Sequence, residues 1–332
     1  MNDKYKYLIV LSLFLMFGFS YLFSTTTQNS SVPRVEVTAE KNADAAKNIP
    51  PTLPPVSPAA PAAKSMTPKT NIFEPKKTPA KEILVGMEYQ SSQDLKAFYQ
   101  KYRHHSSPGV KYWVYTALGA CLRFAKGSDG KPYQNAADFL QSSAEGKQLA
   151  DRTDAYQNLH SRCNGLEATP VNETVKEVQA LQESAEAGGD AKALMARGLF
   201  INNKYSEVEI AKALGSTLES DDPYAIRNVA NLLQRPGVDY ILIGAGNHPV
   251  SYDLVSAAAN LAACELGADC SSGSITWAEQ CINDANCSSP NVAQQILDRL
   301  DSDADRLEAR RVRDLIVKAA KTGDVSLLGL PK

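Results

Sequence analysis

The stretch Tyr7–Phe23, YLIVLSLFLMFGFSYLF, carries no charge and is interrupted only by Ser12, Gly18 and Ser20. As a helix it would reach roughly 25 Å, just under the ~30 Å hydrocarbon core of a bilayer. The neutral flank Ser24–Thr27 can supply the missing turn. Lys4 and Lys6 precede the run, and the next basic residue is Arg34. Basic residues collect on the cytoplasmic side of a span. The sequence therefore predicts a cytoplasmic segment 1–6, a transmembrane anchor 7–23 and everything later on the far side. The expected location is the inner (cytoplasmic) membrane, single-pass, with a periplasmic or otherwise extracytoplasmic C-terminal domain. A cleaved signal peptide is the alternative. Gly18-Phe19-Ser20 is a small-x-small site, but apolar Tyr21, Leu22 and Phe23 follow it directly.

Residues 24–80 hold 10 of the 18 prolines, with many Ala, Thr, Ser and Lys and few aromatics. Such a composition cannot bury a core and predicts a disordered or polyproline-like linker. It has seven basic and four acidic residues, a net of +3, whereas residues 81–332 have 26 basic and 32 acidic, a net of −6. An acidic domain without a basic stripe argues against nucleic acid as a partner. The domain is placed at 85–332, about 250 residues, enough for a sizeable core. No second apolar run reaches membrane length; Gly109–Ala125 is broken by Lys111 and Arg123.

All six cysteines fall in this domain: Cys121, Cys163, Cys264, Cys270, Cys281 and Cys287. An even number in an oxidising compartment predicts three disulfides. Cys121 and Cys163 lie near the ends of two consecutive helical stretches, so they are expected to pair. The other four form two C-x5-C phrases, CELGADC and CINDANC, offset by 17 residues. That common offset favours cross-pairing, Cys264 with Cys281 and Cys270 with Cys287. Local closure of each phrase and a nested arrangement are the alternatives.

Helical periodicity dominates and strand alternation is nearly absent. After Ser92, the residues Leu95, Phe98, Tyr99 and Tyr102 make an apolar stripe. Pro108 opens a second helix, a third stretch is expected over 135–163, and Thr169-Pro170 opens a fourth. Ser302-x-x-Asp305 reads as a capping box for a last helix ending at Thr322-Gly323. Val238–Pro249 is the one β-like run. The fold class expected is all-α, an irregular arrangement of α/α hairpins or a solenoid-like stack of them. Gly189-Asp190 and Asp221-Asp222 lie 32 residues apart, and KAAKTGD (Lys318–Asp324) repeats the helix-end phrase. Over residues 185–234 this resembles Sel1-like and tetratricopeptide-type repeats, where A-x-x-G-D-x-x-A joins consecutive helices at a period in the thirties. Most of the aromatic and glycine positions that mark those repeats are missing here. The resemblance implies stacked helical hairpins with a concave binding face.

Motifs for chemistry are incomplete. Gly244-Ala245-Gly246 follows a strand-like run, but Pro249 stands where a dinucleotide loop needs its third glycine. Asp301, Asp303 and Asp305 have the spacing of calcium-loop ligands, yet Arg306 and Val312 replace the required glycine and glutamate. His160-x-x-Cys163 has no second half, and no C-x-x-C occurs. His104 and His105 fall at a helix end, and His248 lies in a loop. No cofactor, no metal and no catalytic residue is assigned. Tyr102, Tyr112, Trp113 and Tyr115 crowd one region and are expected in the core. The reading is a membrane-anchored protein-protein interaction or scaffold module of the cell envelope, with the membrane and an envelope protein as partners. The alternative is a cell-wall-acting hydrolase with unlocated catalytic acids.

Overall fold

A computed structural model describes residues 77–125, 133, 135–140, 148–166, 171–196, 207–234, 238–244 and 246–330. The expected anchor 7–23 and the linker up to residue 76 lie outside these residues. Among the described residues, no helix is long and apolar enough to cross a membrane.

The first helix, α1 (Ala80–Ser91), begins upstream of residue 85, where the sequence put the edge of the domain. It follows Pro79, whose ring disfavours helical backbone at the residue before it. Asp94 caps α2 (Leu95–Tyr102) by accepting from the Ala97 amide, and the stripe Leu95, Phe98, Tyr99 turns inward. Then come α3 (Pro108–Ala125), α4 (Ala136–Leu140) and α5 (Leu149–Arg162). The long helix expected over 135–163 is thus two helices. Gln148 takes a left-handed conformation (φ 49) immediately before α5, which no continuous helix allows. The chain continues as α6 (Val171–Ala187), α7 (Ala191–Ala196), α8 (Glu207–Glu219), α9 (Pro223–Ile226) and α10 (Val229–Leu233). Helices α11 (Tyr252–Glu265), α12 (Ile275–Asp284), α13 (Val292–Arg299) and α14 (Asp303–Thr322) complete it, with a 3-10 turn at Val325–Leu328.

The domain is mostly helical, but all-α needs one correction. β1 (Tyr240–Ile243) and β2 (His248–Ser251) pair antiparallel, with Ile241 opposite Val250 and Ile243 opposite His248. Ile241, Ile243 and Val250 are buried, while Tyr240 and Leu242 face out. Because the outward residues are also apolar, YILI shows no alternation in sequence. The turn uses Gly244 (φ 80) and Asn247 (φ 48), residues suited to the left-handed region.

The described residues belong to one compact unit with two large cores and a smaller one, formed by Ala257, Leu261, Val292, Ile296 and Ala309. The first gathers α1–α6 and α12 around aromatic rings. Tyr89 lies 5.3 Å from Trp113, Trp113 meets Tyr224 edge-on at 4.8 Å, and Phe139 stacks on Tyr156 at 4.8 Å. Trp113 and Tyr115 are buried and Tyr102 and Tyr112 partly so, which makes this aromatic group core rather than surface. The second packs Leu214, Leu218, Ile243, Val255, Val312 and Ile316 where α8, the hairpin, α11 and α14 converge. Each such side chain contributes about 1.5–3 kcal/mol on burial. In the last helix Ser302 caps by accepting from the Asp305 amide, and Gly323 (φ 69) closes it.

Cys121 at the end of α3 is bonded to Cys163 at the end of α5, with Cα atoms 5.3 Å apart. Cross-pairing of the other four cysteines is overturned: Cys264 joins Cys270 and Cys281 joins Cys287. Helix ends explain it. Gly267 (φ 107) turns the chain back over the last turn of α11, and Ala285 (φ 55) does so after α12. Helix α12 packs on α5 and α13 rather than back along α11, which packs along α14. The hairpin that cross-pairing required is not formed.

Candidate functional site

A cluster of ionisable groups lies where the two large cores meet. The turn after α6 ends in Gly189 (φ 78) and Asp190, and Asp190 caps α7 through the Ala193 amide. The turn after α8 ends in Asp221 (φ 56) and Asp222, and Asp222 caps α9 through the Tyr224 amide. Both caps turn their second carboxylate oxygen to one side chain. Lys192 Nζ donates to Asp190 Oδ2 at 2.9 Å and to Asp222 Oδ2 at 2.5 Å. Lys192 is 1% exposed, and its ammonium lies over the rings of Tyr112 (5.4 Å) and Trp113 (6.0 Å). Such contacts stabilise a desolvated cation.

A third carboxylate, Glu82 on α1, is also buried and accepts from the Ser107 hydroxyl. Gly109 makes room for it: a Cβ there would collide with Glu82 Oε2 and lie 3.1 Å from Asp190 Oδ2. Burial alone would lower the Lys192 ammonium, but the charges of Asp190 and Asp222 more than offset this and raise it. Burial pushes the Glu82 carboxyl up; Lys192 opposes that, and Asp190 and Asp222 add to it. Burial also lifts Tyr112 to about 12. Asp190 and Asp222 share the one ammonium of Lys192, Glu82 lies beside them, and all four side chains are buried. The arrangement locks α1, α3, α7 and α9 together.

The sequence missed Lys192, although the Asp190–Asp222 spacing that it did register marks both partners. It read the interval as a repeat period; the structure adds that both aspartates hold one lysine.

An open cleft of about 350 Å³ lies between α5 and α12. Asp151, Asp154 and Asn158 form one wall, and Gly273, Trp277 and Cys287 form the other. Arg162 closes the floor, fixed by Asn158 Oδ1, the Ser92 carbonyl and the Gly273 carbonyl at 2.9, 3.1 and 3.1 Å. Trp277 is held by its indole N–H, which donates to the Ser289 carbonyl at 2.9 Å. The two acids share one helical wall, and no carboxylate lines the wall opposite. Glycan hydrolysis by paired acids requires them to flank the bond.

The other sequence candidates are dispersed. His105 Nδ1 accepts from the Ser107 amide, and His160 lies beside Tyr156. His248 is exposed and folds over Gly246. Asp303 pairs with Arg306, and Asp305 accepts from the Ser302 hydroxyl. Among the described residues no group of three or more His, Cys, Asp or Glu is placed to hold a metal ion. All six cysteines are bridged. No protein family, curated protein or solved structure matches the chain.

Proposed function

We propose that the protein is a membrane-tethered interaction module of the cell envelope, anchored through Tyr7–Phe23 and holding a disulfide-bonded helical domain outside the cytoplasmic membrane. The observation that carries this reading is the cleft between α5 and α12, with acids on one wall and an indole on the other. Carboxylates and an aromatic face together suit a lysine or arginine side chain of a protein partner. They do not suit two-acid hydrolysis, and this disfavours the cell-wall hydrolase. The Sel1-like resemblance points the same way, since stacked helical hairpins serve as docking surfaces.

The test is photo-crosslinking in cells. A benzophenone amino acid at Ser272, on the cleft rim, is expected to give a discrete protein adduct that Asp154→Lys abolishes. The same probe at exposed Lys318 on α14 is expected to give none. No adduct from Ser272, or cleavage of cell-wall glycan or peptide by the purified chain that Asp151→Asn abolishes, would replace this reading with the hydrolase.

A further inference from the structure

We infer that Cys264–Cys270 is a thiol–disulfide exchange site whose substrate is a dithiol, and that Arg227 is the group that opens it. Arg227, just past α9, sends Nη2 to within 3.6 Å of Cys270 Sγ. Its other contacts are neutral: Nη1 donates to Thr276 Oγ1 at 2.8 Å, and Nη2 reaches the Asp269 carbonyl at 3.4 Å. The guanidinium lies over the Tyr224 ring at 5.3 Å, and its Nε is buried without a partner. Among the described residues Arg227 forms no ion pair. Glu279 and Asp269 reach it only as more distant charges, and Glu279 is itself paired with Arg123. A guanidinium with a buried, unused N–H donor and no counter-charge is costly. It gains a full counter-charge when Cys270 becomes a thiolate.

The chemistry follows the leaving group. A thiolate of the dithiol attacks Cys264 Sγ, and the S–S bond breaks with its electron pair going to Cys270 Sγ. The second thiol then attacks the mixed disulfide as a thiolate. Cys264 is released as a thiolate and takes a proton from water. The dithiol ends as a disulfide, and two electrons have passed to the protein. A leaving thiolate of lowered pKa leaves faster, and a neighbouring guanidinium lowers it. Cys264 and Cys270 are both half-buried residues, whereas Cys281 is fully buried.

The second C-x5-C loop is an internal control. Cys281–Cys287 closes a loop of the same length, a separation of 6 in each. Cys281 is fully buried, and carbonyl oxygens approach its bridge: Asp151 O at 3.7 Å from Cys281 Sγ and Cys281 O at 3.4 Å from Cys287 Sγ. Those oxygens oppose a thiolate. Opening Cys264–Cys270 also has a structural consequence, because the Cys270 carbonyl accepts from the Val292 amide and Ser271 bridges to Asn291. The freed loop loosens the N-terminus of α13.

The full-length protein is equilibrated with reduced and oxidised dithiothreitol, quenched with iodoacetamide, and each cysteine is quantified by peptide mass spectrometry. Cys264–Cys270 is expected to be half-reduced at a reduced-to-oxidised ratio at least tenfold below that for Cys281–Cys287. Arg227→Met should erase that gap, and Arg227→Lys should keep part of it, with the far-UV circular dichroism of both unchanged. Equal ratios for the two loops in the unmodified protein, or a gap that survives in folded Arg227→Met, overturns the inference. Should Arg227→Met not fold, Cys264→Ser leaves Cys270 as a free thiol beside Arg227. Its alkylation pH profile should then give a pKa below the ordinary thiol value of about 8.5. A value at or above that overturns the inference as well.

Discussion

Lys192 shows how a single residue can be set by two distant turns. Its ammonium replaces lost hydration with two carboxylates and two aromatic faces. Removing it strands Asp190 and Asp222 as buried charges, and breaking a buried pair in this way costs about 3–5 kcal/mol. Lys192→Met is therefore expected to lower unfolding free energy by that amount in urea titration; a loss under 1 kcal/mol would show that the aspartates hydrate. Glu82 behaves oppositely. Its folded pKa lies above its unfolded value, mainly through burial. Its favourable contribution is full below the unfolded carboxylate pKa, about 4.3, and is lost as pH rises through the folded pKa. Glu82→Gln, which mimics the protonated state, should thus raise Tm by a few degrees at pH 7.5. The gain should vanish near pH 4, and a gain independent of pH would refute the electrostatic cause. None of this was legible from Lys192 itself. A lysine in the phrase AKALMA reads as a solvated residue on a small helix, because pairing across 30 residues leaves no local mark.

Among the elements, the helix ends carry the regularity. Three turns use one device, a left-handed residue followed by a capping aspartate: Gly189-Asp190, Asp221-Asp222 and Gly323-Asp324. Only Asp221 places a side chain with a Cβ in the left-handed region, which costs roughly 1–2 kcal/mol relative to glycine. The two α6–α9 turns then make a matched pair of tests. Gly189→Ala meets no neighbour within 4 Å, so its loss in chemical denaturation, about 1 kcal/mol, reports backbone strain alone. Asp221→Gly should gain up to about the same amount, since its ion pair with Lys77 is exposed on both sides. Opposite signs support the shared device, and equal signs refute it. These ends were legible because caps are local. Ser302 and Gly323 announce themselves within four residues of the helix they bound. The pairing of Cys264, Cys270, Cys281 and Cys287 was not, because equal spacing says nothing about whether two helices lie side by side; the Cys121–Cys163 pair was, from its place near two helix ends. The β-like character of Val238–Pro249 was legible, but its folding into a two-stranded hairpin was not, because Tyr240 and Leu242 keep apolar groups on the outer face and blur the alternation.

For the whole molecule the governing asymmetry of the sequence is between an uncharged run at 7–23, a proline-rich, mildly basic stretch at 24–80 and an acidic, disulfide-bonded domain. Three bridges in a helical domain need an oxidising compartment to form. Under the proposed topology the run 7–23 directs export, with Lys4 and Lys6 on its near side. A linker of more than 50 residues would give an end-to-end distance of roughly 40 Å, clearing the domain from the bilayer surface. The proposed topology therefore predicts two readouts together. A phosphatase that is active only outside the cytoplasm, fused after Lys76 so that α1 is not cut, should be active. The full-length protein should stay with the membrane after an alkaline wash and leave it only in detergent. Replacing Leu11 and Leu15 with arginine adds two charges to the middle of the run, each costing about 2.5–3.5 kcal/mol at a helix centre, and should abolish both. An active fusion whose mature chain starts near Tyr21 and washes off the membrane would mean that the run is a removed export signal. An inactive fusion would place the domain in the cytoplasm and leave the bridges without a compartment to form in.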